Sequence, residues 1–287
     1  MTTLTKIPLK KKHDRSILSA SVYLLTKLAF HMAPVKVSRF MRVKGFAIQP
    51  YRLNQAQISL QLQARSFFLE FNNNKLKVFE WGAGPVILLV HGWGGRALQM
   101  DAFVKALVDK GYKVVAFDHK GHGESSTRFS SYPEFVRGTQ VVMAHYGDSL
   151  HGVVAHSIGS NALFKVSENI TRKLKIAVVA PMEDFLNVLE RKRYRMGIYE
   201  KLFAHVIQQI ETECDLYLAD LVILQYDKLL QHEVLLVHDT FDRVNKVSAS
   251  HEIHRNLHGS SLMLTEMLGH SRILRNPAVV ERVAAHF

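Results

Sequence analysis

The 287-residue chain contains one cysteine, Cys214. No disulfide can form within it, and a lone thiol is too little for a cysteine metal site, so Cys214 reads as a small apolar residue. Long apolar runs are missing as well: nothing approaches the ~18 uninterrupted apolar residues of a membrane span. The nearest stretch, Ile17 to Met32, is interrupted by Lys27. Its apolar run Val22 to Leu25 is short and no small-residue cleavage site follows, so a secretory leader is not expected and the expected location is cytoplasmic. Internal repeats and low-complexity tracts are also absent. With 47% hydrophobic and 22% charged residues, the composition suits one large core.

Acidic residues are scarce in one place. Residues 1–65 hold twelve Lys/Arg and a single acid, Asp14, whereas the remainder holds 25 basic and 24 acidic residues. The formal charge of +12 therefore describes a basic arm on a near-neutral body. Such an arm suits peripheral contact with an anionic membrane, weakened by salt. No nucleic-acid motif accompanies the charge, so nucleic acid is not an expected partner. Within the arm, Ile17, Leu18, Val22, Leu24, Leu25, Leu28, Ala29 and Met32 form a broad helical stripe ended by Pro34. The stripe reads as a helix packed on the body or, alternatively, as an amphipathic helix on a membrane surface.

From residue 66 strands and helices alternate. Phe67 to Phe71 and Lys75 to Trp81 predict a hairpin around Asn72-Asn73-Asn74. Val86 to Val90 is continuously apolar, as a strand buried on both faces should be. Further strands are predicted over 112–117, 151–155, 175–180, 234–237 and 261–265, with helices over 97–110, 133–145, 158–170 and from Arg272 onward. This rhythm predicts a mostly parallel sheet with helices on both faces. Residues 182–232 break it, with helix formers and no clear strand, and read as a helical cap inserted between 66–181 and 233–287.

The strongest chemical signal is Gly152-Val153-Val154-Ala155-His156-Ser157-Ile158-Gly159. An apolar strand runs into a serine with small residues two positions to either side, then into a helix. A turn that sharp strains the nucleophile's backbone and tolerates only minimal neighbours. It exposes the hydroxyl above a helix N-terminus, where N–H groups meet developing negative charge. The motif resembles the nucleophile elbow G-x-S-x-G, with Ala155 for the first glycine. Upstream, Val86 to Val90 runs into His91-Gly92-Trp93-Gly94-Gly95, and Asp118-His119-Lys120-Gly121-His122-Gly123-Glu124-Ser125 follows another strand.

On these segments, residues 66–287 resemble the α/β-hydrolases of the HG-x class. The resemblance implies an oxyanion hole made by the backbone N–H groups of Trp93 and Ile158, supported by the turn His91, Gly92 and Gly94. It implies structural roles for Asp118 and His122. Leu235-Leu236-Val237-His238-Asp239-Thr240-Phe241-Asp242 matches the family's strand and acid turn, making Asp242 the acid, with Asp184 the competitor; Asp239 reads as a turn-stabilising residue. Leu268-Gly269-His270, between the last strand and the last helix, makes His270 the base, in the family's Ser, Asp, His order. His156 is expected to pack or to shape the pocket.

The expectation is a serine hydrolase acting on a small-molecule ester or related acyl compound, with no cofactor or metal. A thioesterase, acyltransferase or C–C hydrolase using the same residues is the alternative. A non-catalytic ligand-binding protein on the same fold ranks below both.

Overall fold

Val86–Val90 is apolar at every position and buried at every position, which requires cover on both faces of the strand. In the computed structural model, which describes residues 16–71, 73–182, 185–222 and 224–287, this strand lies inside an eight-stranded sheet. The strands are β1 (Arg65–Phe71), β2 (Asn74–Trp81), β3 (Val86–Val90), β4 (Lys113–Phe117), β5 (Leu150–His156), β6 (Lys175–Val179), β7 (Glu233–Asp239) and β8 (Ser261–Thr265). Their order is β1-β2-β4-β3-β5-β6-β7-β8; β2 pairs antiparallel with β1 and β4, and all other pairings are parallel.

The helices are α1 (Ile17–Met32), α2 (Pro34–Gly45), α3 (Gln55–Leu62), α4 (Asp101–Val108), α5 (Tyr132–Tyr146), α6 (Ile158–Ser167), α7 (Phe185–Met196), α8 (Glu200–Cys214), α9 (Leu218–Val222), α10 (Tyr226–Leu229), α11 (Ser248–Asn256), α12 (Gly269–Arg272) and α13 (Pro277–Ala284). Phe103, Val104 and Leu107 of α4 and Val279 and Val283 of α13 cover one face of the sheet, meeting Ile87, Leu89, Val154 and Val237. Helices α5 and α6 pack together against β3 and β5 and supply the opposite cover.

Contacts divide the chain into two compact units: the described residues of Met1–Ala47 with Asp184–Ile223, and those of Ile48–Glu183 with Leu224–Phe287. The division falls after residue 47, where the basic arm of the sequence reading extends to 65, because α3 packs with the sheet. Gln57 Nε2 donates to the Leu98 carbonyl at 2.6 Å and Trp81 Nε1 to the Leu60 carbonyl at 2.9 Å. In the helical unit, α1 and α2 pack against α7 and α8 around Tyr199, Leu202, Val206 and Ile210, with Cys214 partly buried at the margin.

Two local departures from the periodicity have physical causes. The helix predicted over 97–110 opens with a 3₁₀ turn, Ala97–Met100, because the Ala97 N–H donates to Asp118 Oδ1 at 2.7 Å. The terminal helix is split, since Pro277 lacks the N–H that would continue it and instead begins α13, capped by Asn276. Pro34, as expected, ends α1, and it begins α2. Of the hairpin triplet, Asn72 lies outside the described residues, and Asn73 takes φ 59°.

Candidate active site

The strand order brings the site together. From β3 the chain moves to β4 on one side, then crosses back to β5 on the other, so the connections leave β3 and β5 in opposite directions. Such a switch point opens a crevice beyond the carboxyl ends of the two strands. Val90 of β3 pairs with Ala155 of β5, which sets the His91-Gly92-Trp93 turn beside Ser157.

Ser157 takes φ 56° and ψ −128°, in the positive-φ region that a non-glycine residue enters only under constraint. Its N–H donates to the Val179 carbonyl at 3.0 Å, so the ladder of β5 with β6 holds the turn from below. The small neighbours are obligatory. A Cβ at Gly159 would lie 2.6 Å from the His91 carbonyl oxygen, and one at Gly92 would lie 2.9 Å from Ser157 Cβ. Ala155 is accommodated, fully buried within the sheet.

Three side chains from the ends of β5, β7 and β8 form a hydrogen-bonded series. Ser157 Oγ donates to His270 Nε2 at 3.1 Å, and His270 Nδ1 donates to Asp242 Oδ2 at 2.7 Å. Asp242 Oδ1 accepts from the N–H groups of Val244 at 2.7 Å and Asn245 at 2.9 Å. Burial by itself would raise the Asp242 carboxyl, but the imidazoles of His238 and His270 and the Asn245 N–H outweigh it and hold the group well below the usual carboxylate range. Asp242 is therefore an anion facing His270. The competitor Asp184 lies outside the described residues.

The glycine turn is braced from behind by histidines. His91 Nδ1 donates to the Gly92 carbonyl at 2.7 Å while its Nε2 accepts the His119 N–H at 3.0 Å. His122 Nε2 accepts the Gly94 N–H at 3.0 Å. Burial lowers His91 to about 4 and His122 to about 3, so both stay neutral and keep the lone pairs these bonds need. Asp118 spans two loops, accepting from Ala97 N–H at 2.7 Å and Glu124 N–H at 2.8 Å. The Trp93 indole stacks on Phe135, with centroids 5.8 Å apart and part of its surface in solvent. Among the described residues, no protein group accepts the N–H of Trp93 or of Ile158.

Four neighbours brace this series. Asn245 Nδ2 donates to Ser157 Oγ at 3.3 Å and to the Ala180 carbonyl at 2.9 Å. His238 Nε2 donates to the Asn245 carbonyl at 3.2 Å, while Ser250 Oγ lies 2.7 Å from its Nδ1. His156 Nε2 donates to the His270 carbonyl at 3.0 Å, its ring 4.7 Å from that of His270; burial lowers His156 to about 3, which keeps it an uncharged strut. Asp239 Oδ2 accepts from Thr265 Oγ1 at 2.8 Å and Leu268 N–H at 3.0 Å, tying the loop that carries His270 to β7. The Asx-type turns at Asp239 and Asp242 are local and discernible in sequence, but the reach of Asn245 to Ser157 has no local signal. Among the described residues, no group of three or more His, Cys, Asp or Glu is arranged to hold a metal ion.

Sheet topology, elbow and glycine turn define the class: the chain has the α/β-hydrolase fold. The sequence pattern of serine aminopeptidase, S33, matches residues 83–214, which include the glycine turn and the elbow and stop short of Asp242 and His270. The chain is 29% identical over 112 residues to a non-heme haloperoxidase of Rhodococcus erythropolis, covering 36% of this chain and 40% of that protein. It is 33% identical over 114 residues to protein phosphatase methylesterase 1 of Bos taurus, covering 37% of this chain and 30% of that one. The matches thus span less than half of either relative. An esterase structure from Pyrococcus furiosus superposes with a TM-score of 0.61 at 17% identity, over 84% of this chain and 97% of that one, a likeness of fold.

Proposed function

We propose that the protein is a serine hydrolase that cleaves a carboxylic ester or related acyl compound through an acyl-enzyme intermediate. The observation that carries this reading is the series Ser157 Oγ to His270 Nε2 at 3.1 Å and His270 Nδ1 to Asp242 Oδ2 at 2.7 Å, beginning at a strained backbone turn. In the proposed reaction Ser157 Oγ attacks the acyl carbon as its proton passes to His270 Nε2, and the carboxylate of Asp242 stabilises the imidazolium that results. The uncommitted N–H groups of Trp93 and Ile158 receive the oxyanion, aided by the N-terminus of α6. His270 then returns the proton to the leaving group. Water, activated by the same imidazole, attacks the acyl carbon, and collapse of the second tetrahedral species frees the acid and Ser157.

Ser157→Ala is expected to lower turnover of short-chain p-nitrophenyl esters by on the order of 10⁴-fold or more, with the far-ultraviolet circular dichroism unchanged. Fluorophosphonate labelling of the unaltered protein should map to Ser157. Full activity in the folded variant would overturn the assignment.

A further inference from the structure

Helix α1 buries one face and leaves the opposite one bare. Val22, Tyr23 and Phe30 pack within the helical unit against the cluster of Tyr199, Leu202 and Val206. At ~100° per residue, Ile17, Leu18, Leu24, Leu25, Leu28 and Met32 fall together on the other side, within an arc of about 120°. These six leave 60–89% of their surface in solvent. A helix exposed to water carries its polar residues on that side; here the sense is inverted, and the arc is broken only by Ser21, whose hydroxyl donates back to the Ile17 carbonyl at 3.1 Å.

The charge around this arc is of one sign. Helix α2 exposes Val35, Phe40 and Val43 among Lys36, Arg39 and Lys44, and Lys27 is exposed on the flank of α1, about 60° from the edge of the apolar arc. Residues 16–47 contain no Asp or Glu. Among the described residues, Lys27, Lys36, Arg39 and Lys44 form no ion pair, whereas Arg42 is engaged with Glu213. An apolar strip beside unpaired cations matches acyl chains beneath anionic headgroups.

We propose that the solvent-facing side of α1 and α2 is a docking surface for an anionic phospholipid bilayer, with the α1 leucines at the headgroup–acyl boundary and the lysines and arginine at the phosphates. The helix lies in the plane of the interface. Its 16 residues extend only about 24 Å against a hydrocarbon core of about 30 Å, and no helix among the described residues is long and apolar enough to cross a membrane. This surface goes beyond the acyl-transfer reading and does not depend on it.

The test is co-sedimentation of the full chain with vesicles of equal parts phosphatidylcholine and phosphatidylserine, against vesicles of phosphatidylcholine alone. The unaltered protein is expected to sediment with the anionic vesicles only and to be released by salt. A Leu24→Ser, Leu25→Ser, Leu28→Ser variant and a Lys27→Glu, Lys36→Glu, Arg39→Glu variant should each lose at least about tenfold in partitioning. Circular dichroism and hydrolysis of a soluble ester report on folding and on the separate catalytic reading. Failure of the unaltered chain to sediment, equal binding to both vesicle types, or variants that bind as well as the unaltered chain would each overturn the proposal. So would a dimer in solution that the leucine substitutions dissociate without any vesicle binding, which would assign the face to a second copy.

Discussion

Two side chains converge on Ser157 Oγ from different directions. His270 Nε2 is positioned to take its proton, at 3.1 Å, and Asn245 Nδ2 donates to the same oxygen at 3.3 Å. An N–H aimed at that oxygen stabilises negative charge developing there, and its second bond, to the Ala180 carbonyl, keeps the amide in place. Asn245→Ala should lower kcat about tenfold while KM changes little, because the interaction strengthens only as the proton leaves. An unchanged kcat in steady-state ester hydrolysis would remove Asn245 from the reaction. Asp242→Asn should cost about 10³ to 10⁴ in kcat with the fold kept. The amide cannot stabilise the imidazolium, and its NH₂ favours the tautomer in which His270 Nε2 already carries a proton. The same kinetics check it, with circular dichroism as the control for folding.

At the scale of the element, the elbow is a packing problem solved by two glycines. Gly159 lets α6 approach the end of β3 so closely that a Cβ would meet both the His91 carbonyl oxygen, at 2.6 Å, and the Val90 carbonyl oxygen, at 2.9 Å. Neither is a flexible side chain that can swing aside. Gly159→Ala is therefore expected to destabilise by roughly 2–4 kcal/mol, read as a lower urea midpoint, and to depress activity by shifting Ile158 and Ser157. A midpoint within error of the unaltered protein would show that β3 and α6 separate cheaply. Strands were readable at this scale because continuous burial leaves continuous apolar runs, as in Val86–Val90. The splitting of the terminal helix at Pro277 and the 3₁₀ opening at Ala97 do not show in the apolar periodicity. The first breaks the helix where its apolar pattern continues, and the second depends on Asp118, a residue from another loop.

Over the whole molecule, stability is linked to pH through buried neutral histidines. Burial, the largest cause in each case, lowers His91 from 6.5 to about 4 and His122 and His156 from 6.5 to about 3, and lowers His119, whose ring nitrogens find no hydrogen-bond partner among the described residues, well below 6.5. Below pH 6.5 the unfolded chain binds protons that the folded chain refuses, so stability is full above that value and falls as the pH drops toward about 3. For His91, His122 and His156 the loss amounts to roughly 3–5 kcal/mol each by the bottom of its window. Urea midpoints should thus fall steadily between about pH 6.5 and pH 4, before the carboxylates titrate. A flat profile there would mean that these histidines are hydrated or protonated in the native state. His91→Gln, which retains an amide donor and acceptor without titrating, should flatten part of the slope.

What the chain disclosed by itself is local: a strand running into a small-residue turn around Ser157, an aspartate turn at Asp242, a glycine-histidine turn at His270, and a basic arm with one acid. Each lies within a few residues of sequence, where steric demands and turn chemistry act directly on neighbours. Whether those three side chains meet, and what else meets them, depended on the strand order that sets β5, β6, β7 and β8 side by side. Asn245 reaches Ser157 across 88 positions and His156 reaches the His270 carbonyl across 114. The exposed arc of α1 is likewise a tertiary fact. The sequence shows one broad apolar stripe, and only the packing of Val22, Tyr23 and Phe30 against α8 determines which side of it remains in water. Periodicity reports that a side chain is apolar; the neighbours that bury it, or leave it bare, come from elsewhere in the chain.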